Sequence, residues 1–227
     1  AQSGPAMKLL SVNVSGPRSA VHRGRVIRTG IFKTPVQGRV IIRTLNIEGD
    51  AQADLTNHGG IHKAVYAYAA ENYEYWKKEL RREDLAPGQF GENLTAEGMT
   101  EEAVCIGDIF RIGGAVAEVS QPRNPCYKLG IKMGSQAFVQ RFLESGRLGI
   151  YMRVLEEGEI GAGDPIERIE PGPEGISVLE LACLQNFGED DLETARRALR
   201  IPALAPEIRQ ALERRLEKAG LPPGEAQ

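Results

Sequence analysis

From Met7 onward, apolar residues recur in short alternating runs broken by glycine, a period of two that belongs to half-buried strands. Alternation is plain in residues 8–14 (KLLSVNV) and 39–43 (RVIIR), and β-rich runs return at 64–68, 109–112, 115–119, 150–155 and 166–169. Eight or so short strands at this spacing predict a closed or nearly closed barrel. Two segments change to a helical period: 70–82, with Tyr73, Trp76 and Leu80 on one face, and 135–145, with Phe138, Phe142 and Leu143.

After Pro171-Gly172-Pro173 the pattern turns helical throughout. Ser177-Val178-Leu179-Glu180 is a capping-box sequence that should open a helix. A second helix is expected at about 190–200, striped by Leu192, Ala195 and Leu199. A third is expected at 206–219, opened by Pro206, striped by Ile208, Leu212 and Leu216, and closed at Gly220. The expected layout is a flexible extension at 1–6, a mainly β domain with some helix (α+β) at 7–171, a small three-helix domain at 174–220 and a flexible tail at 221–227. A three-helix unit of that size is weak alone and should dock on the barrel.

Composition is that of an ordinary globular protein: 227 residues, 41% hydrophobic and 26% charged, with a net charge of −3 that argues against nucleic-acid binding. The average hides an asymmetry, because residues 1–63 carry nine Lys or Arg against three acids. That excess either meets a small anion or is a chance run of surface arginines. Three scattered cysteines, Cys105, Cys126 and Cys183, point to free thiols in a reducing compartment, by default the cytoplasm. No apolar run is long enough to span a membrane.

The densest cluster of unusual residues lies between Gly49 and Lys63. His58 and His62 have the four-residue spacing of helical metal ligands, but Gly59-Gly60 between them disfavours a helix. The glycine pair could form a backbone anion nest beside Lys63, or could be an ordinary turn into the next strand. A second cluster is Gln121-Pro122-Arg123-Asn124-Pro125-Cys126, a stiffened loop in which a guanidinium near the cysteine would favour thiolate over thiol. Cys105 and Cys183 sit in apolar runs and read as inert. Asn93 and Thr95 offer an amide and a hydroxyl after Gly91, and Lys33 stands in an apolar stretch where it must pair with an anion or snorkel from a strand edge. Dinucleotide, P-loop and GxSxG motifs are absent from the sequence.

In order, Ile31-Phe32-Lys33-x-Pro35-Val36, the segment from Gly49-Asp50 through Asp54, His58-Gly59-Gly60-x-His62-Lys63 to Tyr68, Phe90-Gly91-Glu92-Asn93-Leu94-Thr95, Ile106-Gly107-Asp108, and Ser120-Gln121-Pro122-Arg123-x-Pro125-Cys126-x-Lys128-Leu129 resemble the MOSC domain of the stand-alone bacterial YiiM type. The resemblance runs from about Met7 to Pro171, and the helices after it resemble the small helical domain that often follows. It implies a β-barrel that binds molybdenum cofactor, with Cys126 on the metal and a reductase activity toward N-hydroxylated compounds such as hydroxylaminopurine-like bases. Electrons would come from a separate flavin-type donor protein, and a homodimer is left open. On this reading Lys33, His58, Gly59, Gly60, His62, Lys63 and Arg123 complement the anionic cofactor. Asn93, Thr95 and Gln121 hold the pterin, and His58 or Asp54 supplies a proton. The rival readings are a persulfide carrier using the same cysteine, and a non-catalytic cofactor-binding or adaptor module.

Overall fold

The computed structural model describes residues 6–51, 59–188 and 191–221. Seven strands close into a barrel: β1 (Met7–Val14), β6 (Val65–Ala69), β7 (Leu94–Glu97), β8 (Ile109–Ile112), β9 (Ala115–Pro122), β10 (Ile150–Glu156) and β12 (Pro165–Glu170). Around the barrel the order is β12-β8-β9-β10-β6-β7-β1, and β1 closes on β12 through Met7 opposite Ile166. All pairings in this ring are antiparallel except β6 with β7. That exception follows from the chain path: helix α1 (Ala70–Leu80) crosses between these two strands, as a parallel connection requires. Closure leaves no free barrel edge to recruit another chain.

Three further pieces lie outside the ring. Among the described residues a hairpin of β2 (Arg18–His22) and β3 (Arg25–Thr29) pairs only with itself, and β4 (Thr34–Pro35) pairs antiparallel with the end of β1. The run predicted at 39–43 is a strand, β5 (Arg39–Ile42), but it pairs with β11 (Gly158–Gly161) apart from the barrel. The helix predicted at 135–145 forms as α3 (Ala137–Glu144), with Phe138 and Phe142 buried. A short helix that the pattern did not predict, α2 (Tyr127–Met133), starts directly after Cys126.

The C-terminal helices are α4 (Val178–Asn186), α5 (Leu192–Leu199) and α6 (Pro206–Lys218). The capping box forms as predicted: Glu180 N–H donates to Ser177 Oγ at 3.0 Å, and Ser177 N–H donates to the Glu180 carboxylate at 2.8 Å. These helices do not build a core of their own. Leu181, Leu199, Leu212 and Leu216 join one continuous buried cluster with Ile106, Val119 and Met152 of the barrel region. Backbone bonds reinforce the seam, with Ala205 N–H donating to Ser120 O and Val178 N–H to Val104 O. A second, aromatic cluster of Tyr68, Tyr73, Trp76, Phe90, Phe138 and Phe142 packs α1 and α3 against the barrel wall.

Candidate functional site

A polar cavity lies where β6, β9 and β10 meet the loops after β3, before β7 and before α2. Its floor is Tyr66 and Tyr151, register partners on β6 and β10. Beside them the β9–β10 pairing is irregular: Tyr151 faces Gln121 while Met152 faces Val119, so Ser120 is the extra residue. Ser120 Oγ lies 2.6 Å from His62 O and 3.0 Å from Tyr151 O, one hydroxyl proton serving two carbonyls, which ties the bulge to the turn before β6. The chain then leaves β9 through Pro122 and presents Arg123, Asn124 and Cys126 to the cavity.

Arg123 is the dominant feature. Its side chain is buried, its guanidinium carbon lies 5.3 Å from the ring centres of both Tyr66 and Phe142, and Nη1 has no hydrogen-bond partner. Among the described residues no carboxylate pairs with it. A buried cation with an unsatisfied donor costs free energy unless an anion meets it, which makes this nitrogen a candidate anion contact. Burial pushes the hydroxyls of Tyr66 and Tyr151 above their ordinary range, more than the guanidinium beside them lowers them, so both remain neutral donors.

Lys33 also lines the cavity, and its charge is already matched. Its Nζ lies 2.5 Å from both oxygens of Asp50, itself buried. Burial lowers the Lys33 pKa against the pull of Asp50, and the pair is nearly neutral toward a ligand. Asn93 lines the cavity too, with its amide engaged by the protein: Nδ2 donates to Asp50 at 3.0 Å, and Oδ1 accepts from Tyr66 N–H at 3.2 Å. The Asp50 carboxylate is thus the hub of this wall, a role the sequence signalled only through the need of Lys33 for an anion.

Of the residues singled out in the sequence, Lys33, Lys63, Asn93, Arg123 and Cys126 share this cavity. Lys128, Tyr66 and Tyr151 join them without having been proposed for it. Thr95 stands behind the wall, accepting from Asn13 Nδ2 at 3.1 Å and donating to the buried Glu92 carboxylate at 2.9 Å. Gly59 and Gly60 are not on the lining. Gly60, at φ +97°, caps the 3₁₀ turn Ile61–Lys63, and its carbonyl accepts from Lys63 N–H, as in an ordinary turn. His62 lines neither this cavity nor its neighbour. Its carbonyl is held by Ser120, its Nδ1 is unpartnered, and burial followed by the Arg153 charge lowers its pKa, favouring the neutral ring. Asp54 and His58 lie outside the described residues.

A second cavity of about 390 Å³ adjoins the first and shares Lys63, Asn124, Cys126 and Tyr151 with it. Its far wall comes from the C-terminal helices, and Gln121 faces it. Lys63 bridges to Glu207 on α6 at 2.7 Å, fastening the helical region across this junction.

The seven-stranded barrel thus carries one cavity lined by Lys33, Lys63, Lys128, Arg123 and the Cys126 thiol, with one buried Arg123 nitrogen lacking a partner. The chain belongs to the MOSC domain family: the family model matches residues 54–167, and residues 188–219 match the YiiM-like, 3-alpha helix domain. It is 42% identical over 210 residues to the uncharacterized protein YflK of Bacillus subtilis, spanning 92% of this chain and 95% of that one. A protein of Gibberella moniliformis named "Reductase" is 39% identical over 150 residues, which is 65% of this chain and 27% of that longer protein. The crystal structure of YiiM from Geobacillus stearothermophilus superposes with a TM-score of 0.79 at 33% identity, covering 92% of this chain and 99% of that one. MOSC domains are associated in general with binding molybdenum cofactor.

The residues present fit such a group. Among the described residues no three His, Cys, Asp or Glu side chains come together as a metal site. A metal arriving with its own sulfur ligands needs only one soft donor from the protein, which Cys126 can supply, and its phosphate needs the cations that Arg123, Lys63 and Lys128 bring.

Proposed function

We propose that this protein is a molybdenum-cofactor-dependent oxidoreductase that reduces N-hydroxylated compounds, of the hydroxylaminopurine type, with electrons from a separate flavin-type donor protein. The observation that carries the reading is the buried Arg123, unmatched by any described carboxylate, in one cavity with the Cys126 thiol. In this reading Cys126 ligates the metal and Arg123, with Lys63 and Lys128, holds the anionic groups. When bound, the cofactor supplies a two-electron redox centre.

The overall conversion takes R–NHOH, two electrons and two protons to R–NH₂ and water. The chain's own task is to hold the hydroxylamine, exclude bulk water and deliver a proton to the departing hydroxyl. His62 lines neither cavity, so the proton donor in this reading is His58 or Asp54, with the imidazole preferred because an unperturbed one titrates near neutrality. Tyr151, kept neutral by burial, orients polar groups of the ligand without contributing charge, while the Tyr66 hydroxyl is held by Leu148 O at 2.8 Å.

The test is reduction of 6-hydroxylaminopurine by protein made in a host that synthesises the cofactor, with chemically reduced viologen as electron source. Wild type should form adenine, and Cys126→Ala should lose activity by at least about 100-fold. A protein that carries cyanide-labile sulfur on Cys126 and reduces nothing would instead be a sulfur carrier.

A further inference from the structure

The hairpin of β2 and β3 has two unlike faces. Cross-strand pairs alternate between them: Ala20 opposite Ile27 and His22 opposite Arg25 on one, Val21 opposite Val26 on the other. Ala20, His22 and Ile27 are partly covered, and the His22 ring lies 4.8 Å from that of Tyr127, the residue after Cys126. At the base of the hairpin Thr29 and Gly30 line the first cavity, so the hairpin stands beside it. The other face is open: Val21 is 67% and Val26 72% exposed. Exposed Arg18, Arg23, Arg25 and Arg28 surround this pair, and the first acid in the chain is Glu48. Among the described residues no carboxylate pairs with any of the four; Arg28 donates to Pro17 O at 3.2 Å. Arg23 and Gly24 form the two-residue turn at φ 49° and 75°, a turn that prefers Asn-Gly or Asp-Gly. Charge alone guards an exposed strand edge, but that purpose needs neither an open valine pair nor an arginine in a left-handed turn position.

An aliphatic pair ringed by unpaired cations fits an acidic protein face with a small apolar centre. Nucleic acid fits less well, because the open face has no aromatic side chain for a base to stack on and the whole chain carries a net charge of −3. We infer that this hairpin is the docking surface for the electron-donating flavoprotein, which it meets through a carboxylate-rimmed face and seats beside Cys126. The inference rests on the proposed function for the need of a donor. The acidic character of the partner follows from the hairpin itself.

The experiment is calorimetric binding of an acidic flavodoxin to the full chain at low and at physiological ionic strength. Wild type should bind, and more weakly as salt rises. Arg23→Asn combined with Arg25→Thr, residues that suit the turn and the strand, should weaken binding about tenfold at low salt and flatten its salt dependence. The melting temperature of that variant should hold or rise, which separates a lost contact from a damaged hairpin. Val26→Thr, which keeps the shape and adds a hydroxyl, should weaken binding about threefold. Viologen-driven reduction should be unchanged in both variants, since neither touches the cavity. Wild type that does not bind flavodoxin, or either variant folded and binding as wild type does, would overturn the inference. A single-stranded oligonucleotide bound more tightly than flavodoxin would also overturn it and make the hairpin a nucleic-acid surface. Wild type that binds flavodoxin through the hairpin but reduces nothing with viologen would count against the proposed function and not against the docking surface.

Discussion

Arg123 concentrates the tension between stability and function. Its charge is buried against Tyr66 and Phe142 with one nitrogen unsatisfied, so part of its desolvation is left for a ligand to offset. Arg123→Met, which keeps the stem and removes the charge, should raise the melting temperature of the cofactor-free protein by a few degrees, as relief of an uncompensated buried cation does. The same variant should lose most bound cofactor. A large drop in melting temperature would mean that the guanidinium is there chiefly for packing. Lys132 gives a pH signature. It donates to the carbonyls of Ile31 at 2.9 Å and of Gly88, and burial lowers its pKa to about 8. Unfolded lysine titrates near 10.4, so between about pH 8 and pH 10 the unfolded chain binds the extra proton and this residue's contribution to stability rises with pH. Denaturant unfolding of wild type against Lys132→Met at pH 7 and pH 10 should show wild type gaining on the variant at the higher pH; the opposite trend would refute the shift. At this scale the sequence was informative where a residue carried an energetic debt: Lys33 in an apolar stretch demanded an anion, and Asp50 supplies it. It was silent on which face of a wall a neutral side chain takes, so Thr95, one register step from the cavity, could not be told from a lining residue.

Among the elements, the loops that frame the cavity are shaped by close backbone approach. Gly88 sits at φ +86°, and a Cβ there would stand 2.7 Å from the carbonyl oxygen of Lys33. Its own N–H donates to Glu92 and its carbonyl accepts from Lys132, so the chain cannot shift to make room without breaking both. Gly88→Ala should cost about 1–3 kcal/mol, read as a lower denaturation midpoint, and should also loosen the Lys33–Asp50 wall enough to weaken cofactor retention. An alanine variant with unchanged midpoint would show that this approach is slack. The alternating strand runs and the capping box revealed themselves in the sequence because periodicity and a two-residue reciprocal cap are local signals. The strand Arg39–Ile42 was found but its partner was not, since pairing with Gly158–Gly161 is a contact across more than a hundred residues. Helix α2 escaped notice because seven residues with an internal glycine give too little period to read.

For the whole molecule, the continuous core across barrel and helices means that the three C-terminal helices are structurally part of one folding unit, as the sequence anticipated in predicting that they dock. Truncation after Pro173 would strip Leu181, Leu199, Leu212 and Leu216 from barrel residues such as Val119, exposing an apolar face. The full chain should therefore melt in a single calorimetric transition, and the truncated chain should aggregate or unfold at a much lower temperature; two separate transitions would show independent domains. The early positive excess is distributed rather than focused: Lys33 is matched by Asp50 and Lys63 by Glu207, while Arg123, outside that basic quarter, keeps one buried nitrogen without a partner. Among the described residues no helix is long and apolar enough to cross a membrane. The central claim, that this cavity holds molybdenum cofactor through Cys126, is tested most directly by elemental and pterin analysis of wild type and Cys126→Ala purified side by side from a cofactor-producing host. Wild type should carry molybdenum and pterin near one per chain with the alanine variant depleted of metal, whereas wild type free of both would contradict the account.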